Sequence, residues 1–211
     1  MIGFSEGFHD SAVACVRDGQ IVYATHGERF SKKKHDKRLS LEASAIAQAS
    51  NLTDNVISFY ERPRKKKIRQ YFAGQKSWSQ PRDLCMEPTH YCEHHMSHAA
   101  AAFQTSVFDE AACVVVDSIG EFDCSSIWTA KMVNGKAEYK KVWNMEYPKS
   151  IGLWYSALTK WAGLKPLDEE YIFMGMAAYG EATRIDEVYA LLGQNNHCLL
   201  YTSDAADERN S

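Results

Sequence analysis

Two imidazoles four residues apart are the strongest chemical signal in this 211-residue chain. The segment Glu93-His94-His95-Met96-Ser97-His98 runs directly into Ala99-Ala100-Ala101-Ala102. If it is helical, His94 and His98 stand one turn apart on a single face. Two ring nitrogens so placed can grip one metal ion, as the paired His of a zincin helix do. Methionine and a run of alanines favour helix, and their small or flexible side chains let it approach a neighbour closely. His95 also precedes His98, by three residues, and competes for the role; the four-residue spacing favours His94. The spacing alone leaves a second reading open, since His pairs also occur on plain surfaces and in cores.

A pair of ligands needs elements to hold it. Ser11–Val16 is a short apolar run, Asp18-Gly19 is a turn signal, and Ile21–Thr25 has strong β character, so the spacing predicts a β-hairpin. Ser40 is an N-cap candidate ahead of Glu42 and the helical stretch Ala43–Ala49. Val56–Tyr60 reads as a strand, and Tyr71–Pro88 as irregular, with Gly74, Pro81 and Pro88 as breakers. After the His-rich helix, which should end near Phe103, Ala111–Asp117 is almost wholly apolar, like a strand buried on both faces. A carboxylate at the end of such a strand needs a partner or a ligand. Phe122–Lys131 and Lys136–Trp143 read as strands joined by the turn Asn134-Gly135. Ser150–Trp161 has helical periodicity, and Tyr171–Tyr179 and Ile185–Leu192 are helical segments separated by Gly180. Alternating strands and helices define an α/β class with a mixed sheet and flanking helices.

Composition narrows the function classes. Hydrophobic residues make up 45% and charged residues 24%, as in ordinary globular proteins. A net charge of -3 argues against a generic nucleic-acid surface. No run approaches the ~18 apolar residues that a membrane span requires, and residues 1–6 lack the regions of a signal peptide. The six cysteines form no C-x-x-C pair, and Cys113 sits in an apolar run as a buried thiol would, so a cytoplasmic, reducing location is expected. The tail Cys198–Glu208 reads as the translation of a transposase-end adapter used in short-read sequencing. The expected domain is therefore 1–197, with 198–211 outside it and the protein continuing elsewhere. A domain cut within its sheet exposes apolar surface and a strand edge, so marginal stability and little or no activity are expected of the chain.

Four segments together resemble one family, the carbamoyltransferases of nodulation-factor and antibiotic biosynthesis. They are Gly7-Phe8-His9-Asp10-Ser11-Ala12 with Glu28–Asp36; Glu93–Phe103; Val114–Glu121; and Ser150–Ser156 continuing to Phe173–Glu181. Their order and spacing are similar to those of the family's N-terminal domain over nearly all of residues 1–183. The resemblance implies an actin-like, sugar-kinase-like ATPase fold, incomplete here at the C-terminus and similar to the enzymes that make threonylcarbamoyladenosine in tRNA. It implies an O-carbamoyltransferase as well. A C-terminal domain makes carbamoyladenylate from ATP and carbamoyl phosphate, and the N-terminal domain passes the carbamoyl group to a hydroxyl of a sugar-like or antibiotic-like acceptor.

By the same resemblance, His94, His98 and Asp117 are ligands of a divalent metal, iron first, with manganese or zinc as alternatives for mixed nitrogen and oxygen ligation. A further acidic ligand lies beyond the break. His9 and Asp10 fall in the fold's phosphate-facing turn, where His9 binds the carbamoyl group or acts as acceptor-side base; the residues alone also allow an Asx-type turn on Asp10. Lys34 matches a lysine near the carbamoyl donor, where a cation stabilises growing negative charge; a Lys run also suits a solvated face. Glu121, Tyr155 and Ser156 are cofactor-side candidates in ligand-contacting turns. The chain departs from the pattern with a single glycine in Ser118-Ile119-Gly120 and with Ala178 in place of a proline, which affects acceptor specificity more than fold. The basic stretch Arg62–Arg69 matches a family loop after a strand and reads as surface, so neither nucleic acid nor membrane is expected as a partner. A tRNA-modifying threonylcarbamoyl transferase and a non-catalytic nucleotide-binding scaffold of the same fold are the alternative readings.

Overall fold

Asp18 and Gly19 both take left-handed backbone angles, φ 51° and 74°, and so close a two-residue hairpin of the kind that twisted strands prefer. This hairpin joins β2 (Ala12–Arg17) to β3 (Gln20–His26). In the computed structural model, residues 1–7, 10–50, 56–72 and 84–192 are described. They fall into two compact units, Met1–Ser97 and His98 onward.

The first unit is built on a five-stranded sheet in the order β3-β2-β1-β4-β5, with β1 at Ile2–Ser5, β4 at Ile57–Phe59 and β5 at His90–Tyr91. Strands β1 to β3 run antiparallel, whereas β4 and β5 join in parallel. Alternation along β1 and β2 points Ile2, Phe4, Val13 and Cys15 inward, where they meet Phe59 and the small face of α2 (Leu41–Ser50) at Ala43 and Ala47. Phe4 and Phe59 meet edge-on at 5.1 Å, and burial of Phe59 is worth roughly 2–3 kcal/mol. Ser40 caps α2 by accepting from the Ala43 N–H at 3.0 Å. The buried Glu6 carboxylate accepts from the backbone N–H groups of Leu39 and Cys85, tying two distant segments to the end of β1. Helix α1 (Glu28–Ser31) follows β3, and α3 (Pro63–Phe72) follows β4.

The second unit carries a three-stranded antiparallel sheet, β6 (Glu110–Gly120), β7 (Asp123–Val133) and β8 (Lys136–Glu146). Asn134 and Gly135 repeat the left-handed turn geometry, φ 51° and 74°. Helices α5 (Ile151–Trp161), α6 (Glu170–Ala177) and α7 (Ile185–Leu192) complete it. Helix α4 (His94–Gln104) contains the division between the units.

Two expectations need correction. Strand β6 is not buried on both faces: Cys113 and Val115 are inside, while Val114 and Val116 are 68% and 58% exposed. Within this chain its sheet is antiparallel, and such a sheet can leave one face open. The basic stretch 62–69 falls from residue 63 onward in helix α3 rather than in a surface loop, and Lys66 and Gln70 of that helix are buried. The mixed sheet belongs to the first unit. His9 and the tail 198–211 lie outside the described residues.

Candidate metal centre

Helix α4 presents two neighbouring faces. His95, Ala99 and Phe103 recur every four residues and are buried, His95 completely. His94 and His98 recur beside them on a face that reaches solvent, His94 mostly covered and His98 exposed. In the second unit, regular pairing of β6 with β7 lapses after Val116 and resumes at Gly120, so that Asp117, Ser118 and Ile119 form an irregular stretch. A lapse of this kind bends a strand and re-aims its side chains.

The start of α5 fixes that stretch. Ser150 accepts from the Leu153 N–H at 3.0 Å as the helix cap and donates to the Ser118 carbonyl at 2.6 Å. Gly152 lies so close that a Cβ there would stand 2.7 Å from Ser118 N and Cα and 2.9 Å from the Asp117 carbonyl oxygen. Only glycine permits this approach. The Asp117 carboxylate accepts from the Ser118 N–H at 2.7 Å. One ligand atom from each of His94, His98 and Asp117 then lies within 4.8 Å of the others. Two imidazoles and a carboxylate so grouped suit a divalent transition metal, and the donor chemistry alone does not choose among iron, manganese and zinc.

The other end of α4 is held within the first unit by the three residues that follow β4. Ser97 donates to the Tyr60 carbonyl at 2.8 Å, and Arg62 pairs with Glu93 at 3.2 Å. Between them Glu61, 4% exposed, binds Lys66 of α3 at 2.8 Å and stands 3.6 Å from Nδ1 of His94. The rings of Tyr60 and His94 meet edge-on at 5.4 Å. Burial pushes the Glu61 carboxyl up, but the His94 ring, the Lys66 cation and a hydrogen bond from Tyr60 outweigh it and hold the group below the usual glutamate value. Sequence reading passed over Glu61 and Lys66. The signal was faint: a lone acid at the end of a predicted strand, followed by a basic run.

The remaining predicted residues are placed as follows. Asp10, at φ 50°, meets His35 Nδ1 at 3.2 Å, with side chains 38% and 53% exposed. Lys34 is 86% exposed and pairs with Glu28 at 3.7 Å. Glu121 is buried at the corner between β6 and β7, with φ 58°. The Ser156 hydroxyl donates to Glu170 at 2.6 Å and the Tyr155 ring packs on Phe173, so both take part in the contact between α5 and α6. The structure thus gathers the metal candidates, places Asp10 beside His35, and sets Tyr155 and Ser156 in a helix contact. No helix among the described residues is long and apolar enough to cross a membrane.

Fold and site together define an α/β protein with a His/His/Asp group able to hold a divalent ion. Residues 72–206 match the family described as Carbamoyltransferase N-terminus, and the chain belongs to that family. Among curated relatives, it is 32% identical over 222 residues to an uncharacterised protein of Synechocystis sp., covering 88% of this chain and 35% of the relative. It is 28% identical over 195 residues to the nodulation protein NolNO of Sinorhizobium fredii, covering 82% of this chain and 28% of that protein. An uncharacterised protein of Methanocaldococcus jannaschii is 24% identical over 208 residues, with 93% and 37% covered. The chain therefore spans about a third of the length of the curated relatives it matches.

Proposed function

We propose that this chain is the N-terminal part of an O-carbamoyltransferase that moves a carbamoyl group onto a hydroxyl of a small sugar-like or antibiotic-like acceptor. The observation that carries the reading is the His94, His98 and Asp117 group in a chain of carbamoyltransferase-family sequence. A small-molecule acceptor rather than tRNA is what the resemblance to carbamoyltransferases of nodulation-factor and antibiotic biosynthesis implies, and one relative is a nodulation protein. The order β3-β2-β1-β4-β5, antiparallel and then parallel, supports the actin-like, sugar-kinase-like fold.

Carbamoyl transfer needs a polarised carbonyl, a deprotonated acceptor hydroxyl and a held leaving group. His94, His98 and Asp117 would hold a divalent ion, which as a Lewis acid supplies polarisation of a carbonyl or phosphoryl oxygen. The protein's own part is to fix the donors. Asp117 is held by its Ser118 N–H and by the close packing of Gly152, and His94 by the residues after β4. Lys34, exposed on a solvated face, would steady negative charge on the carbamoyl donor, and Asp10 with His35 would take the acceptor proton. Carbamoyl phosphate and ATP would be the substrates of the portion beyond this chain.

The test is the full-length product of the gene, assayed for carbamoyl transfer from carbamoyl phosphate and ATP to candidate alcohols. His98→Ala should lower transfer by at least about 100-fold without lowering stability. Unchanged transfer in that variant would sink the metal-assisted reading.

A further inference from the structure

Resting on the metal reading just given, we propose that Glu61 is a positioning residue of the centre: its carboxylate, 3.6 Å from Nδ1 of His94, draws the ring proton to that nitrogen by charge and so reserves Nε2 as the ligand atom. Four observations lead there. Glu61 is 4% exposed, and its Oε2 faces His94 Nδ1 at 3.6 Å while its Oε1 binds Lys66 at 2.8 Å. Its carboxylate stands outside the His94, His98 and Asp117 group, so it acts on the ligand rather than on the ion. The ring of His94 packs against those of Tyr60 at 5.4 Å and His95 at 6.0 Å. Tyr60, Glu61 and Arg62 all engage the first turn of α4, which sets the height of the His94 backbone.

The chemistry explains why a lysine belongs in the arrangement. A metal ligand must be a neutral imidazole, and a ring nitrogen that carries a proton cannot also bind the ion. A carboxylate behind the ring settles which nitrogen keeps the proton and raises the basicity of the other. A buried carboxylate without compensation would instead draw a second proton onto the ring, and an imidazolium repels a cation. Lys66 takes up part of the Glu61 charge, leaving an acceptor strong enough to orient the ring without charging it. The role is legible only in three dimensions, because Glu61 and His94 are separated by the whole of α3 and β5.

The experiment uses the full-length product of the gene and Mn(II), whose preference for hard ligands keeps it off the cysteines. Binding is read from the electron paramagnetic resonance signal of the unbound ion in the wild type, His98→Ala and Glu61→Gln. Glu61→Gln should weaken Mn(II) binding about 10- to 100-fold. Because that change breaks the Glu61–Lys66 ion pair, the double variant Glu61→Gln/Lys66→Met removes both charges together and should show the same loss with the fold kept. Independently of metal, nitrogen-15 spectra of the His94 ring should show the proton on Nδ1 in the wild type and a shift toward Nε2 in the variants. Wild-type affinity in both Glu61 variants beside a defective His98→Ala would overturn this inference and leave the metal reading standing. A proton found on Nε2 of wild-type His94 would overturn it as well. No Mn(II) binding by the wild type would bring down both.

Discussion

The first turn of α4 and the corner formed by residues 10, 34 and 35 both hold titratable groups in the first unit, yet they are built in opposite ways. At α4 the side chain of His94 is 13% exposed and every neighbour is itself held: Glu61 by Lys66, Glu93 by Arg62, Ser97 by the Tyr60 carbonyl. At the corner, Asp10 pairs with His35 and Lys34 with Glu28 on an open surface, with side chains 38% to 86% exposed except Glu28. A metal ligand needs a fixed direction, because a bond to an ion tolerates little error in distance. A cation that meets a charged donor needs reach more than direction, and a long solvated side chain supplies it. The contrast therefore matches the roles proposed for the two regions, one preorganised by burial and one recruited by its ligand.

The largest effect expected should come from removing a ligand at the fixed site. His98 is exposed, so His98→Ala should change the unfolding free energy from a urea melt by no more than about 0.5 kcal/mol. Mn(II) affinity should nevertheless fall by more than about 100-fold, beyond the loss expected from any supporting residue. Chemical denaturation and metal titration of the same sample check the two halves. Equal metal binding in the variant would erase the distinction between the regions.

Gly152→Ala should sharpen the comparison by the next largest amount. The added methyl would meet the Ser118 backbone at 2.7 Å, and backbone cannot move aside as a side chain tip can. Overpacking of this kind costs roughly 1–3 kcal/mol. Because the strained atoms belong to Asp117 and Ser118, Mn(II) affinity should drop together with stability, whereas Gly3→Ala, with open space around its Cβ, should leave metal binding unchanged. Urea melts and titrations of the two variants decide the matter. Loss of stability with metal binding intact would show that Asp117 is not held by α5.

These sites also show what kinds of information the sequence carries. The hairpins were readable because Asp18-Gly19 and Asn134-Gly135 encode their turn in two adjacent residues, and the Ser40 cap is equally local. The His94 and His98 spacing is local too, whereas its grouping with Asp117 was implied by the family resemblance alone. What escaped was tertiary. Glu61 depends on a contact across an intervening helix, and the burial of Lys66 cannot be told from a basic run in which its neighbours are solvated. The misjudged face of β6 has a similar cause, since an apolar run gives the strand but not how many of its faces are covered. Tyr155 and Ser156 were singled out by resemblance, while their visible contacts, to Phe173 and Glu170, join two helices.

The smallest expected effect lies at the corner. An exposed ion pair is worth about 0.2–1 kcal/mol and weakens with salt. In a buffer acidic enough to protonate His35, His35→Gln should thus lower stability by no more than that, and the difference from wild type should vanish near 1 M salt, where the screening length is ~3 Å. Lys34→Ala should be silent in both stability and Mn(II) binding of this chain, because its Glu28 contact at 3.7 Å is solvated. In the full-length protein the same Lys34→Ala change should lower carbamoyl transfer, since a group that is idle without its donor acts only once the donor is present. Paired urea melts at low and high salt test the first statement, and transfer assays of the full-length variant test the last. A large, salt-insensitive loss of stability at His35 would mean that this corner is as fixed as the start of α4, and the division of roles drawn between them would fail.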